Sequence, residues 1–398
     1  MNRRIFLGSG AAAIIRGAVP EYEQPLFALT RAITAPVKIR SIDVLSKGHD
    51  IFVRTTSTDG VVGQVLAKEP IDDFLPILFR RVIPYFVGKD ARELESLVDG
   101  VYIKHYKLAG QAFWLPVASV EQSIWDLLGR TAKKPVAELM GGMRRKEIPV
   151  YLSGSGRETK AEEEVDVYVR GFEATGAKAV KFKIGGRMSR NADAYPGRTE
   201  TMMEAARKRL GDKAVIYTDA NGSYDAPTAI QVGRMLQKLN CGFFEEPCPW
   251  EEISETKKVA DALELPIAAG EQDASLWRFQ WMMETGVLQI VQPDLNYNGG
   301  FIRAARVARM ARKFGIPIVP HNTQTGAAGV KILQFASAIP NAGEYMEYPW
   351  RSSRPPEPWY TPNLVVRNGR ITVPTGPGLG VDFDPSYLAS AQVLTDKT

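Results

Sequence analysis

The sequence predicts an α/β protein in which about eight parallel strands close a barrel and a separate α+β unit precedes it. The first observation is the order of segments along the chain: from Ile148 onward, short apolar strands alternate with amphipathic helices at an almost constant period. Strands that are buried on both faces and separated by helices are typical of a parallel sheet. The second observation is length, because 398 residues exceed what one core of ordinary size holds, and two domains are therefore expected.

The apolar strands of the second part predict the barrel. One strand is expected near Val150 and another near Tyr345, and six more lie between them, at 179–183, 214–217, 241–244, 266–269, 288–291 and 317–319. Eight strands are the number that closes a (β/α) barrel, in which all carboxyl ends of the strands lie at one mouth.

The first part is rich in β-structure. Alternating segments at 37–45 and 51–56 are followed by Asp59-Gly60, a strong hairpin turn, and then by a third strand at 61–66. These segments predict the β half of an α+β unit.

A helix is clearest at 119–130, where the apolar residues form one stripe and both Glu121 and Arg130 lie off it. Gly141-Gly142 then interrupts the chain. We assign three regions after the first 35 residues: an N-terminal α+β domain at 36–148, the barrel with the candidate site at 149–349, and a C-terminal segment at 350–398.

The C-terminal segment returns to β character. Residues 364–367 and 370–373 flank Asn368-Gly369, a pattern that predicts a tight hairpin. The stretch after it is rich in proline and glycine, and we expect an ordered loop there.

Residues 1–35 are treated apart from the fold. Arg3-Arg4, followed by an apolar stretch at 10–15, is similar to a twin-arginine export leader. Arg16 interrupts that stretch, and no clear cleavage site follows. Two locations stay open: periplasmic if the leader works, and cytoplasmic if it does not.

Composition and charge argue against several classes of protein. No run of roughly 18 apolar residues is present, so no segment is expected to span a membrane. The net charge of +5 is spread along the chain, and the densest basic clusters, at 144–146 and 207–209, are too short to predict a nucleic-acid surface. Cys241 and Cys248 are the only cysteines, and they predict buried thiols rather than a disulfide scaffold.

Five consecutive barrel strands end in a charged group. In chain order these are Asp219, Glu245, Glu271, Asp294 and His321, at spacings of 26, 26, 23 and 27 residues, one β/α unit each. A carboxylate after a strand is commonly a helix N-cap, but several of these groups are followed by proline or glycine instead of a helix. The barrel mouth should therefore bring them together. Three carboxylates directed at one point need a cation between them, and hard oxygen ligands favour Mg²⁺.

Lys181 and Lys183 form a second group of candidate residues. Since a strand has a period of two, both lysines should face the barrel interior while Phe182 packs outward. Two buried ammonium groups are costly if they are only structural; the alternative is a strand end that opens to solvent. Placed together, each lysine would lower the pKa of the other, which would make one of them a usable base near neutral pH.

His321 is one of three histidines and is the one that follows a barrel strand. Asp294 lies at the end of the neighbouring strand, and an Asp–His pair fixes the imidazole tautomer and raises its basicity. His49 and His105 have no such partner in the pattern.

These motifs together resemble the mandelate racemase subgroup of the enolase superfamily, within the mandelate racemase/muconate lactonizing enzyme family. The resemblance covers residues 37 to about 385 and rests on the Lys181-Phe182-Lys183 strand, Asp219-Ala220-Asn221, the Phe-Phe-Glu-Glu-Pro segment at 243–247, Gly270-Glu271, Gln292-Pro293-Asp294 and His321. It implies a modified TIM barrel, (β/α)7β, with an α+β capping domain formed by the N-terminal part and the returning tail.

The resemblance also implies roles for single residues. Three carboxylates would bind Mg²⁺, namely Asp219, Glu245 and Glu271. Lys183 would be one base, with Lys181 beside it in contact with the substrate carboxylate. His321, held by Asp294, would be the other base.

One further acid is implied to hydrogen-bond the enolate. Glu347 matches this position, and Glu344 is the nearby alternative. The cap loops around 46–50 and 67–70 would help to choose the substrate.

The expected chemistry explains these residue types. Removing a proton next to a carboxylate creates a second negative charge, which a divalent cation and hydrogen-bonding groups stabilise. We expect a small carboxylic acid as substrate, most simply a sugar acid dehydrated to a 2-keto-3-deoxy acid, with racemisation, epimerisation and cycloisomerisation left open. Side chains suited to a polyhydroxylated substrate are Lys47, His49, Asn221, Trp250, Asn296 and Tyr297.

Two other classes of function are open at this point. One is a catalytically silent relative that binds a sugar acid. The other is a glycosidase that uses two of the carboxylates, although the paired lysines have no role there. The resemblance further implies a homo-oligomer, a dimer or an octamer.

Overall fold

The computed structural model describes residues 24–350 and 357–396. The prediction of a leader at Arg3-Arg4, and with it the question of location, lies outside the described residues. Within those residues, no helix has the length and apolar character needed to cross a membrane.

Three antiparallel strands open the N-terminal part, as the alternating segments predicted. β1 (Ile39–Lys47) pairs with β2 (Asp50–Ser57), and the turn at Asp59-Gly60 leads into β3 (Val62–Leu66). Short 3₁₀ or π turns lie at Ile71–Phe74, Leu78–Val82, Ala91–Glu93 and Tyr106–Leu108. The α-helices of this part are α1 (Leu29–Ala32), α2 (Leu75–Ile77), α3 (Ile83–Phe86), α4 (Leu94–Lys104), α5 (Gln111–Ala132) and α6 (Val136–Leu139).

The helix predicted at 119–130 is the middle of the longer α5, which packs against β2 and β3. Glu121 was predicted to lie off the apolar stripe, but the structure buries it completely. Its carboxylate accepts hydrogen bonds from the backbone N–H groups of Phe301 and Ile302, at 3.1 and 3.0 Å. The physical reason is that these residues begin a helix, whose first N–H groups have no acceptor within the helix itself.

The second part is a ring of parallel strands, and the predicted barrel is confirmed. From β4 to β9 each strand pairs with the next one in the chain, and the last strand, β10, pairs with β4. Between the last two strands, single bridges from Val291 to Ile318 and from Ile318 to Ala342 complete the ring. The strands are β4 (Glu147–Ser153), β5 (Ala179–Lys183), β6 (Val215–Asp219), β7 (Phe243–Glu245), β8 (Ile267–Ala269), β9 (Ile290–Val291) and β10 (Met346–Pro349).

Seven helices lie between these strands: one follows each strand from β4 to β8, and two lie between β9 and β10, on either side of the bridging residue Ile318. They are α7 (Ala161–Thr175), α8 (Arg198–Leu210), α9 (Ala226–Lys238), α10 (Ile253–Ala262), α11 (Leu276–Glu284), α12 (Phe301–Lys313) and α13 (Gly326–Ala338).

The parallel register of β5, β6 and β7 places charged residues side by side. Lys183, the last residue of β5, pairs with Asp219 at the end of β6, and Asp219 pairs with Glu245 at the end of β7. Phe182 points the other way, and its ring meets the ring of Tyr168 on α7, with 4.9 Å between the ring centroids. The alternation predicted from the Lys-Phe-Lys strand is therefore present, and it directs three charged groups towards one mouth.

The C-terminal tail returns to the N-terminal sheet. It contains β11 (Tyr360–Thr361), β12 (Arg370–Thr372), β13 (Asp382–Phe383), α14 (Pro385–Ala389) and β14 (Gln392–Leu394). β14 pairs antiparallel with β1, so the N-terminal part and the tail form the capping domain together, as predicted.

The hairpin predicted around Asn368-Gly369 forms only in part. The turn is present, since both residues have positive φ, 51° and 70°, and Arg367 bridges to Arg370. Residues 364–366 form no strand, however. β12 pairs instead with the first residues of β4 over three residue pairs, a longer ladder than the single bridge of the hairpin.

Candidate active site

Three carboxylates meet at the carboxyl ends of neighbouring barrel strands. One oxygen from each of Asp219, Glu245 and Glu271 lies within 4.8 Å of the others. All three residues are buried. The structure thus brings together the three carboxylates whose spacing predicted that they would meet.

Burial and neighbouring charges act on these carboxylates in different directions. Burial, and after it the negative charge of Asp219, raises the pKa of Glu245 to about 8. Burial also opposes the ionisation of Asp219, but the ammonium groups of Lys183 and Lys181 outweigh it and hold the pKa of Asp219 below its ordinary range. The three side chains concentrate negative charge, which the two lysines and neutral donors such as Gln292, at 2.9 Å from Glu245, stabilise in part.

The three carboxylates fit a hard divalent cation such as Mg²⁺. Carboxylate oxygens are the ligands that Mg²⁺ prefers. Glu271 Oε2 is buried and has no hydrogen-bond partner among the described residues; His321 Nε2 lies 3.3 Å away without forming a hydrogen bond to it. A buried oxygen without a partner is costly, and a cation held by the three side chains would satisfy it.

Lys181 is fully buried among carboxylates. Its Nζ lies 2.8 Å from Glu245, 2.9 Å from Glu347 and 3.6 Å from Asp219. Burial lowers the pKa of Lys181, but Glu245 and Glu347 outweigh burial, and the pKa is raised well above its ordinary value. The expectation that the two lysines lower the pKa of each other is therefore wrong for Lys181, because three carboxylates surround it.

Lys183 takes a different position from Lys181. Its Nζ donates a short hydrogen bond to Asp219 and lies 3.3 Å from Asn221 Oδ1. Lys183 also lines the cavity at the barrel mouth, whereas Lys181 does not. Of the two, Lys183 is the one whose ammonium group can meet a ligand.

The predicted Asp–His pair is formed. His321 Nδ1 lies 2.8 Å from Asp294 Oδ2, and His321 Nε2 faces Glu271 and the cavity. Asp294 Oδ1 accepts from the backbone N–H groups of Asn296 and Tyr297, at 2.7 and 3.1 Å. Burial opposes the ionisation of Asp294, but Lys68 and then His321 outweigh it, and the pKa of Asp294 is held well below its ordinary range.

Of the two glutamates near the end of the barrel, Glu347 faces the site. It is buried, lines the cavity, pairs with Lys181 and accepts a hydrogen bond of 2.9 Å from the backbone N–H of Asn322. Glu344 is exposed. Of the two, Glu347 is therefore the one placed to meet a ligand in the cavity.

A cavity of about 490 Å³ opens over these groups. Three of the residues predicted to contact substrate line it, namely Asn221, Trp250 and Tyr297. The cavity is further lined by Lys68, Gln111, Ser153, Gly154, Ser155, Lys183, Arg187, Met188, Glu271, Gln272, His321, Asn322, Thr323, Glu347, Pro349 and Trp350.

Lys47 and His49 were predicted to contact substrate, and the structure places them elsewhere. Lys47 lies opposite Asp50 at the end of the β1–β2 ladder, with its Nζ 5.9 Å from the ring centroid of Tyr387. His49 lines a separate cavity of about 460 Å³. The reason is the length of the connection, because Gly48 and His49 alone join β1 to β2 and do not reach the cavity over the carboxylates.

The structure also places Asn296 away from the position predicted for it, a contact with substrate. It is buried and does not line the cavity over the carboxylates. Its side-chain N–H lies 3.2 Å from Asp294 Oδ1, and its Oδ1 accepts from Lys331 Nζ at 3.2 Å. Its side-chain N–H is thus bound to Asp294 and its side-chain oxygen to Lys331, and neither atom faces the cavity.

Sequence reasoning missed Lys68, although it placed the surrounding loop, 67–70, in the cap over the site. Lys68 is buried, lines the cavity and lies 2.5 Å from Asp294 through its Nζ. A single lysine in a loop carries no periodicity or spacing that relates it to a strand in another domain. Arg187, in the loop after β5, was also missed, because a single arginine in a loop has no spacing that marks it, and it lies at the exposed rim.

The barrel, the three carboxylates and the two candidate bases around one cavity define an enzyme. The chain belongs to the mandelate racemase/muconate lactonizing enzyme family within the enolase superfamily. Its residues 25–141 match the family's N-terminal domain, and residues 164–387 match the enolase C-terminal domain-like family. It is accordingly a lyase or an isomerase, as its characterised relatives are.

Three proteins are similar to this chain in sequence or in structure. Arabinonate dehydratase of Saccharolobus solfataricus is 29% identical over 332 residues, which are 81% of this chain and 85% of that protein. A crystal structure from Roseobacter denitrificans superposes with a TM-score of 0.85 at 35% identity, covering 90% of this chain and 99% of the other. A mandelate racemase/muconate lactonizing protein from Paracoccus denitrificans PD1222, complexed with magnesium, superposes with a TM-score of 0.83 at 29% identity, covering 90% of this chain and all of the other (100%).

Proposed function

We propose that the protein is a magnesium-dependent acid-sugar dehydratase, which converts a sugar acid to a 2-keto-3-deoxy acid and water. The observation that carries this proposal is the convergence of three carboxylates, Lys183 and His321 on one cavity. The similarity to an arabinonate dehydratase and to a magnesium-bound structure supports it.

Asp219, Glu245 and Glu271 would hold the Mg²⁺ ion. When bound there, the cation supplies the positive charge that stabilises the second negative charge created on the substrate carboxylate by loss of the α proton. Lys181 keeps Glu245 and Glu347 in place through its two short ion pairs. Glu347 then lies at the cavity wall, where it contacts the enolate.

Two protons move in the proposed reaction. Lys183 Nζ takes the α proton, which leaves an enolate with its extra electrons shared between C2 and the carboxylate. His321 Nε2 gives a proton to the 3-hydroxyl, the C3–O bond breaks, and water leaves. The resulting enol then tautomerises to the 2-keto-3-deoxy acid, so the products are this acid and one water molecule.

A racemase or a cycloisomerase would form the same enolate but finish differently. Racemisation requires His321 to return a proton to C2, and cycloisomerisation requires a ring oxygen as the leaving group. Hydroxyl and amide side chains line the cavity, at Ser153, Ser155, Asn322 and Thr323. Such a lining suits a polyhydroxylated chain, which offers a 3-hydroxyl to expel, and this favours dehydration.

The proposal is tested by incubating the enzyme with a panel of aldonic and aldaric acids in Mg²⁺ and D₂O. We expect at least one acid to give a product that reacts with semicarbazide and shows a new CH₂ or CHD group by NMR. Deuterium at C2 without loss of water, in every acid that binds, would instead establish an epimerase. Conversion of lactones or anhydro-sugar acids alone would establish a cycloisomerase. The Lys183→Ala variant is the control for non-enzymatic reaction.

A further inference from the structure

Lys68 is the residue through which the cap reaches the catalytic groups of the barrel. Its Nζ lies 2.5 Å from Asp294 Oδ2, the same oxygen that lies 2.8 Å from His321 Nδ1. The ammonium group also lies 4.1 Å from the ring centroid of Tyr297. Lys68 is 4% exposed and Asp294 is fully buried, so this is a desolvated contact between two domains.

The backbone that delivers Lys68 is held by the barrel as well. Lys331 on α13 donates to the carbonyl of Leu66 at 3.2 Å, and Gln324 donates to the carbonyl of Ala67 at 3.4 Å. The two carbonyls immediately before Lys68 are therefore both bound by barrel side chains. A segment clamped in this way fixes the position of its lysine relative to Asp294.

We infer that Lys68 is a positioning residue of the acid–base pair, and that docking of the cap sets the orientation of His321. One carboxylate oxygen of Asp294 binds both Lys68 and His321, so the position of the ammonium group determines where that oxygen holds the imidazole. The barrel supplies both Asp294 and His321, and the cap supplies Lys68, which holds Asp294 in place. Hydrogen-bonded partners of this kind control the geometry of the group that does the chemistry.

This role differs from two simpler ones. A lysine that only neutralised a buried carboxylate would affect stability and leave the imidazole in place. A lysine that only contacted the substrate would change KM and leave the free enzyme unaltered. A positioning role predicts a change at His321 in the free enzyme and a fall in kcat.

The first test needs no substrate. The chain has three histidines, so protein carrying ¹⁵N-labelled histidine gives few imidazole signals, and the His321→Asn variant assigns the one from His321. In Lys68→Met and Lys68→Gln we expect the Nδ1–H resonance of His321 to shift, broaden and exchange faster with water. Lys89→Met is the matched control, since Lys89 is an exposed cap lysine whose Nζ lies 4.7 Å from the ring centroid of Tyr85. An unchanged His321 resonance in folded Lys68→Met or Lys68→Gln overturns the inference.

The second test uses turnover and rests on the proposed function. With an acid that the wild-type enzyme dehydrates, Lys68→Met should lower kcat by about 10- to 100-fold with little change in KM, and Lys68→Arg should recover part of the loss. A raised KM with unchanged kcat would make Lys68 a substrate contact instead and contradict the inference. If the wild-type enzyme dehydrates none of the acids, the proposed function fails, while the resonance test still decides the role of Lys68.

Discussion

The two sides of the barrel mouth are built in different ways. On the side of Lys183, three charged residues lie at paired positions of adjacent strands, so the register of β5, β6 and β7 alone brings them together. On the side of His321, the strands are short, and β9 continues the ring only through a single bridge to Ile318. Strand register therefore positions one proton-transfer group, and contacts from other parts of the molecule position the other.

Those contacts come from the capping domain. Lys68 binds Asp294, Gln122 on α5 donates to the carbonyl of Leu295 at 3.2 Å, and Glu121 caps the start of α12. The loop between β9 and α12 is thus fixed by the N-terminal part at several points. Substitutions on the lysine side should therefore act within the barrel, while substitutions in the cap should act on the histidine side.

The largest effect is expected at the centre of the carboxylate group. Glu245→Gln keeps the shape of the side chain but removes a negative charge from the proposed metal site and weakens the anchor of Lys181. We expect kcat to fall by more than about 10³-fold, since metal and charge stabilisation each contribute several kcal/mol to such reactions. Steady-state turnover and Mg²⁺ binding by calorimetry measure the effect. Normal Mg²⁺ affinity in this variant would contradict the assignment of the ligand.

Lys183→Ala and His321→Asn should each remove turnover while the fold remains intact. The expected loss is about 10²- to 10⁴-fold, the usual contribution of one general acid or base. Exchange of the α proton with D₂O distinguishes the roles of the two residues. If Lys183 takes this proton, His321→Asn should retain exchange without dehydration, and Lys183→Ala should lose both. Exchange retained in Lys183→Ala and lost in His321→Asn would reverse the two roles.

The sequence was sufficient for one side of this site and insufficient for the other. A Lys-x-Lys strand and carboxylates one β/α unit apart have fixed geometric consequences in a parallel barrel, so their meeting place was predictable. Lys68 and Glu121 reach the barrel from another domain, and neither a stripe nor a spacing encodes such a contact. The substrate contacts predicted for Lys47 and His49 are absent for a related reason. The residue types suggested such contacts, but a two-residue turn is too short to make them.

Glu121→Ala tests whether the cap stabilises the histidine side. Loss of the carboxylate leaves the N–H groups of Phe301 and Ile302 without an acceptor and opens a cavity, so we expect a loss of about 2–4 kcal/mol in the free energy of unfolding. Glu121→Gln keeps the volume and one acceptor oxygen and should cost less. Chemical denaturation of both variants gives the values. Equal stability of Glu121→Ala and the wild type would show that this contact does not stabilise the fold.

The smallest effect is expected at His49. Because this residue lines a separate cavity, His49→Ala should change kcat/KM by less than about twofold, the range of substitutions away from a site. Turnover of the same acid by the wild type and the variant measures it. A loss of tenfold or more would show that the β1–β2 turn does reach the substrate.

The central claim is that a metal held by Asp219, Glu245 and Glu271 is required for removal of a proton next to a carboxylate. The most direct measurement follows the exchange and dehydration of a sugar acid by NMR in D₂O with enzyme treated with EDTA, and then after addition of Mg²⁺. We expect both exchange and dehydration to stop on metal removal and to return on addition, and the melting temperature to fall and recover in parallel. Full turnover by the metal-free enzyme would contradict it.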